Sequence, residues 1–155
     1  MSLQLEFYAG DPAVIGPAFT EIEFDGLRDG TVAHSYADLS LHLSPTDLDI
    51  LSEHAASLVG NNIPNLLDSL EGSIGGTPGE SDASLVAAEW VKGISQVEMH
   101  RCAELTKRWL EAVAAESGDD VVTDCPDAVT AVERLVMLCR DSIARSSRVV
   151  FAWYL

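Results

Sequence analysis

Positively charged side chains are scarce in this sequence. Only nine of its 155 residues are lysine or arginine, against 25 aspartates and glutamates, so its formal net charge is −16. Duplex binding depends on lysine and arginine side chains that replace counterions at phosphates, and anionic lipid attracts the same side chains. We therefore expect neither nucleic acid nor a membrane surface as a partner.

Features of export and of membrane insertion are also lacking. No uninterrupted apolar run reaches the roughly 18 residues that a membrane helix needs. Residues 1–6 have neither the basic nor the apolar part of a signal peptide. The chain has three cysteines, and their spacing shows no paired pattern: Cys102, Cys125 and Cys139. We expect a cytoplasmic protein with reduced thiols.

Apolar side chains are abundant enough for a core. Hydrophobic residues make up 47% of the chain, and its length is typical of one domain. A chain of this size can bury roughly two-thirds of its unfolded surface without disulfides or metals. No linker or internal repeat interrupts it, so residues 1–155 are predicted to form a single globular domain.

The acidity is unevenly distributed. Residues 1–83 hold 14 acidic side chains and one base, Arg28, whereas residues 84–155 hold 11 acidic and eight basic side chains. The first segment therefore carries −13 and the second only −3.

Alternation of apolar and polar residues predicts the strands. It is present in residues 3–8, 19–24 and 33–43, and the turn-rich residues 25–30 suit a hairpin. Residues 148–155 are apolar on both faces, which is typical of a central strand covered by helices on at least one side.

Helical spacing of apolar residues dominates the rest. Ser44 and Pro45 begin a helix, and a short helix is predicted around residues 63–70. Residues 71–83, with four glycines and a proline, are predicted to be a mobile surface loop. A long helical region over 84–116 is expected to break near 93–96.

A last helix starts at residues 124–127, with five side chains facing inward: Val129, Val132, Val136, Cys139 and Ile143. Strands, then helices, then a closing strand predict an α+β fold. We expect a mainly antiparallel sheet of about four strands, including the apolar C-terminal strand, packed against about four helices.

One predicted strand carries residue types used in catalysis. If residues 33–43 form a single strand, its polar face holds His34, Tyr36, Asp38, Ser40 and His42. Same-face neighbours on a strand are about 7 Å apart, so these side chains cannot share a metal ion or form a nucleophile–base pair unaided. A solvated or groove-lining face is the alternative interpretation.

Three other motifs suggest chemistry but lack its geometry. Glu98, His100 and Cys102 would not converge on a helix, so no metal site is predicted there. Cys125 lies beside a helix N-terminus that favours thiolate, but the neighbouring aspartates oppose it. Residues 72–79 lack a phosphate-binding pattern, and acidic residues flank them. A ligand lid is the alternative there.

Acidic side chains also cluster in Asp119, Asp120, Asp124 and Asp127, and around Arg28, without matching a calcium loop. Solvated loops and helix caps are the expected roles. The sequence therefore predicts no metal and no cofactor.

Two hypotheses of function remain. The first is a non-catalytic acidic module that binds a basic protein, as an inhibitor or an immunity protein does, because a large net charge raises association rates with cationic partners. Acidity that only maintains solubility is the alternative to it. The second is a small enzyme that uses His34, Tyr36, Asp38 and His42. A third interpretation concerns assembly: the chain forms a homo-oligomer, as a homodimer that joins through the sheet face or an edge strand.

Overall fold

The computed structural model describes residues 2–118 and 125–155, which form five strands and six α-helices. The strands are β1 (Gln4–Gly10), β2 (Ser35–Asp38), β3 (Leu70–Gly75), β4 (Ser81–Val86) and β5 (Arg148–Tyr154). The helices are α1 (Pro12–Thr20), α2 (Phe24–Arg28), α3 (Pro45–Val59), α4 (Ala88–Ser95), α5 (Cys102–Ser117) and α6 (Pro126–Ala144). Short 3₁₀ turns cover Leu67–Ser69 and Met99–Arg101. Within these ranges, no helix combines the length and the apolarity that crossing a bilayer requires.

The strands form one sheet in the order β2-β1-β5-β4-β3, and every neighbouring pair is antiparallel. β5 lies at the centre, and both of its faces are buried, with Val149 and Phe151 on one side and Val150 and Ala152 on the other. The antiparallel α+β fold with a central C-terminal strand is therefore confirmed. The expected numbers, about four strands and four helices, were too low.

The larger core lies between one face of the sheet and helices α3 to α6. Phe7 of β1 stacks on Trp90 of α4, with ring centroids 5.6 Å apart. The indole nitrogen of Trp90 donates to the Ser52 hydroxyl at 2.9 Å, and that of Trp109 donates to the Asp47 carbonyl at 2.7 Å. Both tryptophans are thus buried with their one polar group satisfied, as core packing requires.

The opposite face is covered by α1 and α2. Ile15, Phe19 and Leu27 of these helices pack against Tyr8 and Val150 of the sheet. The prediction of a strand over residues 19–24 and a hairpin over 25–30 was therefore wrong. Asp11 caps α1 by accepting a bond from the Ala13 amide, and the helix it starts runs through residue 20.

The prediction of one strand over residues 33–43 was also wrong. Only Ser35–Asp38 pair with β1. The chain then bends, and His42 takes a left-handed backbone conformation with φ of 61°. Since alternation across a strand ends where the pairing ends, the histidines at 34 and 42 do not belong to one strand face.

Residues 71–83 form most of a hairpin, β3–β4, in place of the predicted loop. Gly72 (φ 136°) lies at an irregularity in the β3–β4 pairing, and Gly76 (φ 111°) follows the end of β3. Glycine adopts these angles without strain, so here it permits a bulged hairpin. The sequence pattern had suggested that it would prevent one.

The helix predictions were closer. The Ser44 start is confirmed, with Asp47 completing a capping box. The long helical region does break, between α4 and α5, but residues 84–86 belong to β4. Around residues 63–70 the structure has only a single 3₁₀ turn, and Ile143 is exposed although it was expected to face inward.

Candidate functional site

A buried carboxylate is the most unusual polar group of the described residues. Glu6 of β1 has a side chain that is only 1% exposed. Its Oε1 accepts bonds from Arg28 at 2.6 Å, from the Tyr36 hydroxyl at 2.9 Å and from the Tyr154 hydroxyl at 3.3 Å. The Tyr8 hydroxyl donates to Oε2. We call these five residues the Glu6 cluster.

The strand register brings the cluster together. Tyr8 pairs directly with Tyr36 across β1 and β2, and their rings stack with centroids 5.8 Å apart. Side chains two residues apart on a strand share a face, so Glu6 lies beside Tyr8. Tyr154 pairs with Gln4 of β1, two residues from Glu6, and therefore reaches the same face diagonally.

Arg28 connects the cluster to α2. It also donates to the Tyr154 hydroxyl at 2.5 Å, and its guanidinium lies 5.1 Å from the centre of the Phe24 ring. Burial lowers the pKa of Arg28, but the neighbouring Glu6 carboxylate outweighs it, and the net pKa is raised. The guanidinium therefore stays charged and holds the end of α2 against the sheet.

All three tyrosines of the chain belong to the Glu6 cluster. Burial raises the pKa of Tyr8, Tyr36 and Tyr154, and the negative charge of Glu6 raises it further. Each phenol therefore stays protonated and donates to the carboxylate. Because all of these donors bond to Glu6, the cluster serves as an internal anchor that connects α2 to β1, β2 and β5.

The Glu6 cluster affects the charge of the surface around Arg28. Arg28 is the one base of residues 1–83, and it is bonded inward to Glu6. Around it, the segment from the end of α1 to the end of α2 exposes four carboxylates, which we call the acidic rim: Glu21, Glu23, Asp25 and Asp29. Among described residues none of the four forms an ion pair.

Two of the predicted catalytic residues lie on β2 in different environments. Tyr36 is part of the Glu6 cluster. Asp38 is exposed, and its Oδ1 accepts a bond from the Ser40 amide at 2.8 Å. Asp38 therefore stabilises the local turn that ends β2.

The two histidines have different surroundings again. His34 contacts the Ser35 hydroxyl through Nδ1 at 2.8 Å and the Ser147 hydroxyl through Nε2 at 2.7 Å. Burial lowers the pKa of His34, as does nearby Arg145, against the opposing charge of Asp141. His42 is exposed. No hydrogen bond between described residues joins any two of the four predicted catalytic side chains, so the enzyme hypothesis stays a prediction without added support.

The remaining motifs lie apart from the cluster. Glu98 and His100 form an exposed pair at 3.1 Å, whereas Cys102 is buried. Cys125 is half-buried at the start of α6. No group of three potential metal ligands occurs within residues 2–118 and 125–155. The predicted acidic cluster lies mostly outside the described residues, which include only Asp127 of its four members.

Beside the Glu6 cluster, an open groove of about 590 Å³ lies between α6 and residues Ser35 and Tyr36 of β2, a strand at the edge of the sheet. It is bounded by Arg28 and Tyr36 of the cluster, by Ser35, and by side chains of α6 such as Met137 and Asp141. The groove and the acidic rim therefore share a boundary at α2.

The sequence analysis did not identify the Glu6 cluster. The polar position between Leu5 and Phe7 is typical of a solvated strand face, but α1 and α2 bury it. The one available signal was the pair Glu6 and Tyr8, an acid and a phenol two residues apart on an otherwise apolar strand. Comparisons of the chain with protein-family models, with curated proteins and with solved structures found no match.

Proposed function

We propose that this chain is a non-catalytic interaction module whose acidic rim binds a basic protein partner, in an inhibitor- or immunity-like role. The observation that supports the proposal is the orientation of Arg28. Its guanidinium is bonded to Glu6, so the only base of residues 1–83 does not neutralise the carboxylates around it. The rim therefore offers four exposed negative charges to a cationic surface.

The net charge of −16 extends this attraction beyond the contact itself. Complementary charge raises the rate at which two proteins meet by about 10- to 1000-fold, and salt weakens the effect. At physiological ionic strength the field decays over roughly 8 Å, so only carboxylates close to the interface contribute strongly. Position therefore matters as well as total charge.

A matched pair of triple variants tests the proposal. In the rim variant Glu21→Gln, Glu23→Gln and Asp25→Asn remove three charges. In the control variant Glu53→Gln, Glu111→Gln and Glu116→Gln remove three exposed charges from α3 and α5. Both variants change the net charge equally, so a difference between them reports position.

The chain would be immobilised and exposed, at low salt, to a lysate of the organism that encodes it. We expect a basic protein to be retained and its association rate to fall about tenfold in the rim variant, with a smaller decrease in the control. Retention of no basic protein would contradict the proposal, as would an equal effect of the two variants.

We also propose that the module works in the cytoplasm. All three cysteines are free, with Cys102 and Cys139 buried and Cys125 half-buried. Free thiols of this kind are typical of a reducing compartment. Localisation of a tagged chain in the cells that encode it tests this, and export to an oxidising compartment would contradict it.

A further inference from the structure

The groove beside β2 lies across an open strand edge. Among the strands of residues 2–118 and 125–155, β2 is terminal in the sheet and pairs with β1 alone. Ser35 and Tyr36 both line the groove, although successive side chains of a strand point to opposite faces. We therefore infer that the groove extends around the edge of β2, where its outward backbone groups pair with no other described strand.

The walls of the groove offer both apolar and acidic contacts. Met99 and Met137 line it, and Met137 is 43% exposed. Methionine adapts its shape to different partners and is common at peptide-binding surfaces. Glu133 and Asp141 of α6 add two carboxylates that form no ion pair with described residues.

Two arginines line the groove, but one of them is already paired with a carboxylate. Arg28 lines the groove, but its charge is paired with Glu6. Arg134 is the remaining base of the lining, against the two carboxylates of α6. The acidic rim continues from the same helix as Arg28, so the surroundings of the groove favour a cationic occupant.

From this geometry we propose that an extended, basic segment of the partner protein lies in the groove and pairs with β2 as an added strand. The proposal rests on the proposed function and names how the partner docks. Backbone pairing with β2 gives the affinity, and alternate side chains reach the methionines and the carboxylates. A second copy of the chain is disfavoured as occupant, because it also carries −16.

The length of β2 sets the size of the contact. Its four residues span roughly 13 Å, so a segment of about four to six residues covers the edge. The probe is therefore a fluorescent six-residue peptide of alternating lysine and valine. Two control peptides are the same sequence with alternate backbone amides methylated and a peptide of alternating glutamate and valine.

Methylation of the amides removes backbone donors and leaves the charge unchanged. If the peptide binds as a strand, we expect methylation to weaken binding about tenfold, and the glutamate peptide to bind more weakly still. We also expect the β2 amide signals to shift in an NMR titration with the lysine peptide. Equal binding of the methylated and unmethylated peptides would show attraction by charge alone and would overturn the proposal.

Two variants of α6 locate the contact. Met137→Arg places a cation in the groove, and Ile143→Arg places one at another position of the same helix, where the residue is 50% exposed. We expect the first to weaken binding of the lysine peptide about tenfold and the second to change it about twofold or less. Equal effects of both would overturn the groove as the binding site.

Two further outcomes separate this inference from the proposed function. If a basic partner is retained but binds the Met137→Arg and Ile143→Arg variants equally, the groove proposal fails and the proposed function stands. If no basic partner is retained but the lysine peptide meets the criteria above, the proposed function fails and the groove remains a strand-binding site. Sedimentation showing dimers that the Met137→Arg variant dissociates would identify a second copy as the occupant and overturn the proposal.

Discussion

Replacing Arg28 by methionine should destabilise the fold through Glu6. The substitution keeps an apolar chain of similar length but removes the cation that faces a carboxylate with 1% exposure. The phenols of Tyr8, Tyr36 and Tyr154 would still donate to Glu6. The variant therefore isolates the effect of an unpaired buried charge.

The expected cost follows from the exposure of the two partners. Leaving one charge of a buried pair without its partner costs about 3–5 kcal/mol. Arg28 keeps 37% of its side chain exposed, so solvent already screens part of the interaction. We therefore expect Arg28→Met to lower the free energy of unfolding by about 2–3 kcal/mol.

Urea unfolding at about pH 7, followed by tryptophan fluorescence, measures this loss, since Trp90 and Trp109 are fully buried. As a control, Arg108→Met breaks the exposed pair with Glu104 on α5 and should cost only about 0.5 kcal/mol.

A second background tests the mechanism. In a Glu6→Gln chain the buried charge is absent, so the same Arg28→Met substitution should cost less by about 1–2 kcal/mol. An equal cost in both backgrounds would refute our interpretation of the pair. So would a loss for Arg28→Met no larger than that of Arg108→Met.

Two other predictions follow from the second face of the sheet. Since burial raises the pKa of Tyr8, Tyr36 and Tyr154, the unfolded chain loses these protons near pH 10 while the folded chain keeps them. Their contribution to stability is therefore complete below about pH 10 and is lost as the pH rises through the higher pKa values of the folded chain. Ultraviolet absorbance at about pH 11 should show less tyrosinate in the folded chain than in urea, and equal titration of both states would contradict this. Gly16→Ala should lower the free energy of unfolding by about 1–3 kcal/mol, although alanine is the better helix former, because its methyl group would overlap the Ile74 carbonyl of β3. An unchanged urea midpoint would contradict this contact.

The sequence predicted those elements whose signal is local. The Ser44–Pro45 start of α3 follows from capping, and the central position of β5 follows from apolar residues on both of its faces. Misleading patterns were local too. Alternation over 19–24 comes from the junction of two helices, and the glycines of 71–83 belong to a bulged hairpin.

The candidate site depends on contacts distant in sequence. Glu6 and Tyr154 are 148 residues apart, and Arg28 reaches them only because α2 covers the second face of the sheet. A single sequence gives no indication of such contacts, since strand register and helix placement decide them. Hence the predicted catalytic face was assigned to a strand longer than β2, and the buried carboxylate was missed.

By itself, the sequence determined that the chain is strongly acidic, that its acidity lies mainly in residues 1–83 and that its core is formed by an antiparallel α+β fold. Charge and apolar content are sums over residues, so no coordinates are needed to obtain them. Only the tertiary structure decided where the charges point. It turned Arg28 onto Glu6, left the acidic rim exposed and opened a groove at β2, because these arrangements depend on which surfaces pack together.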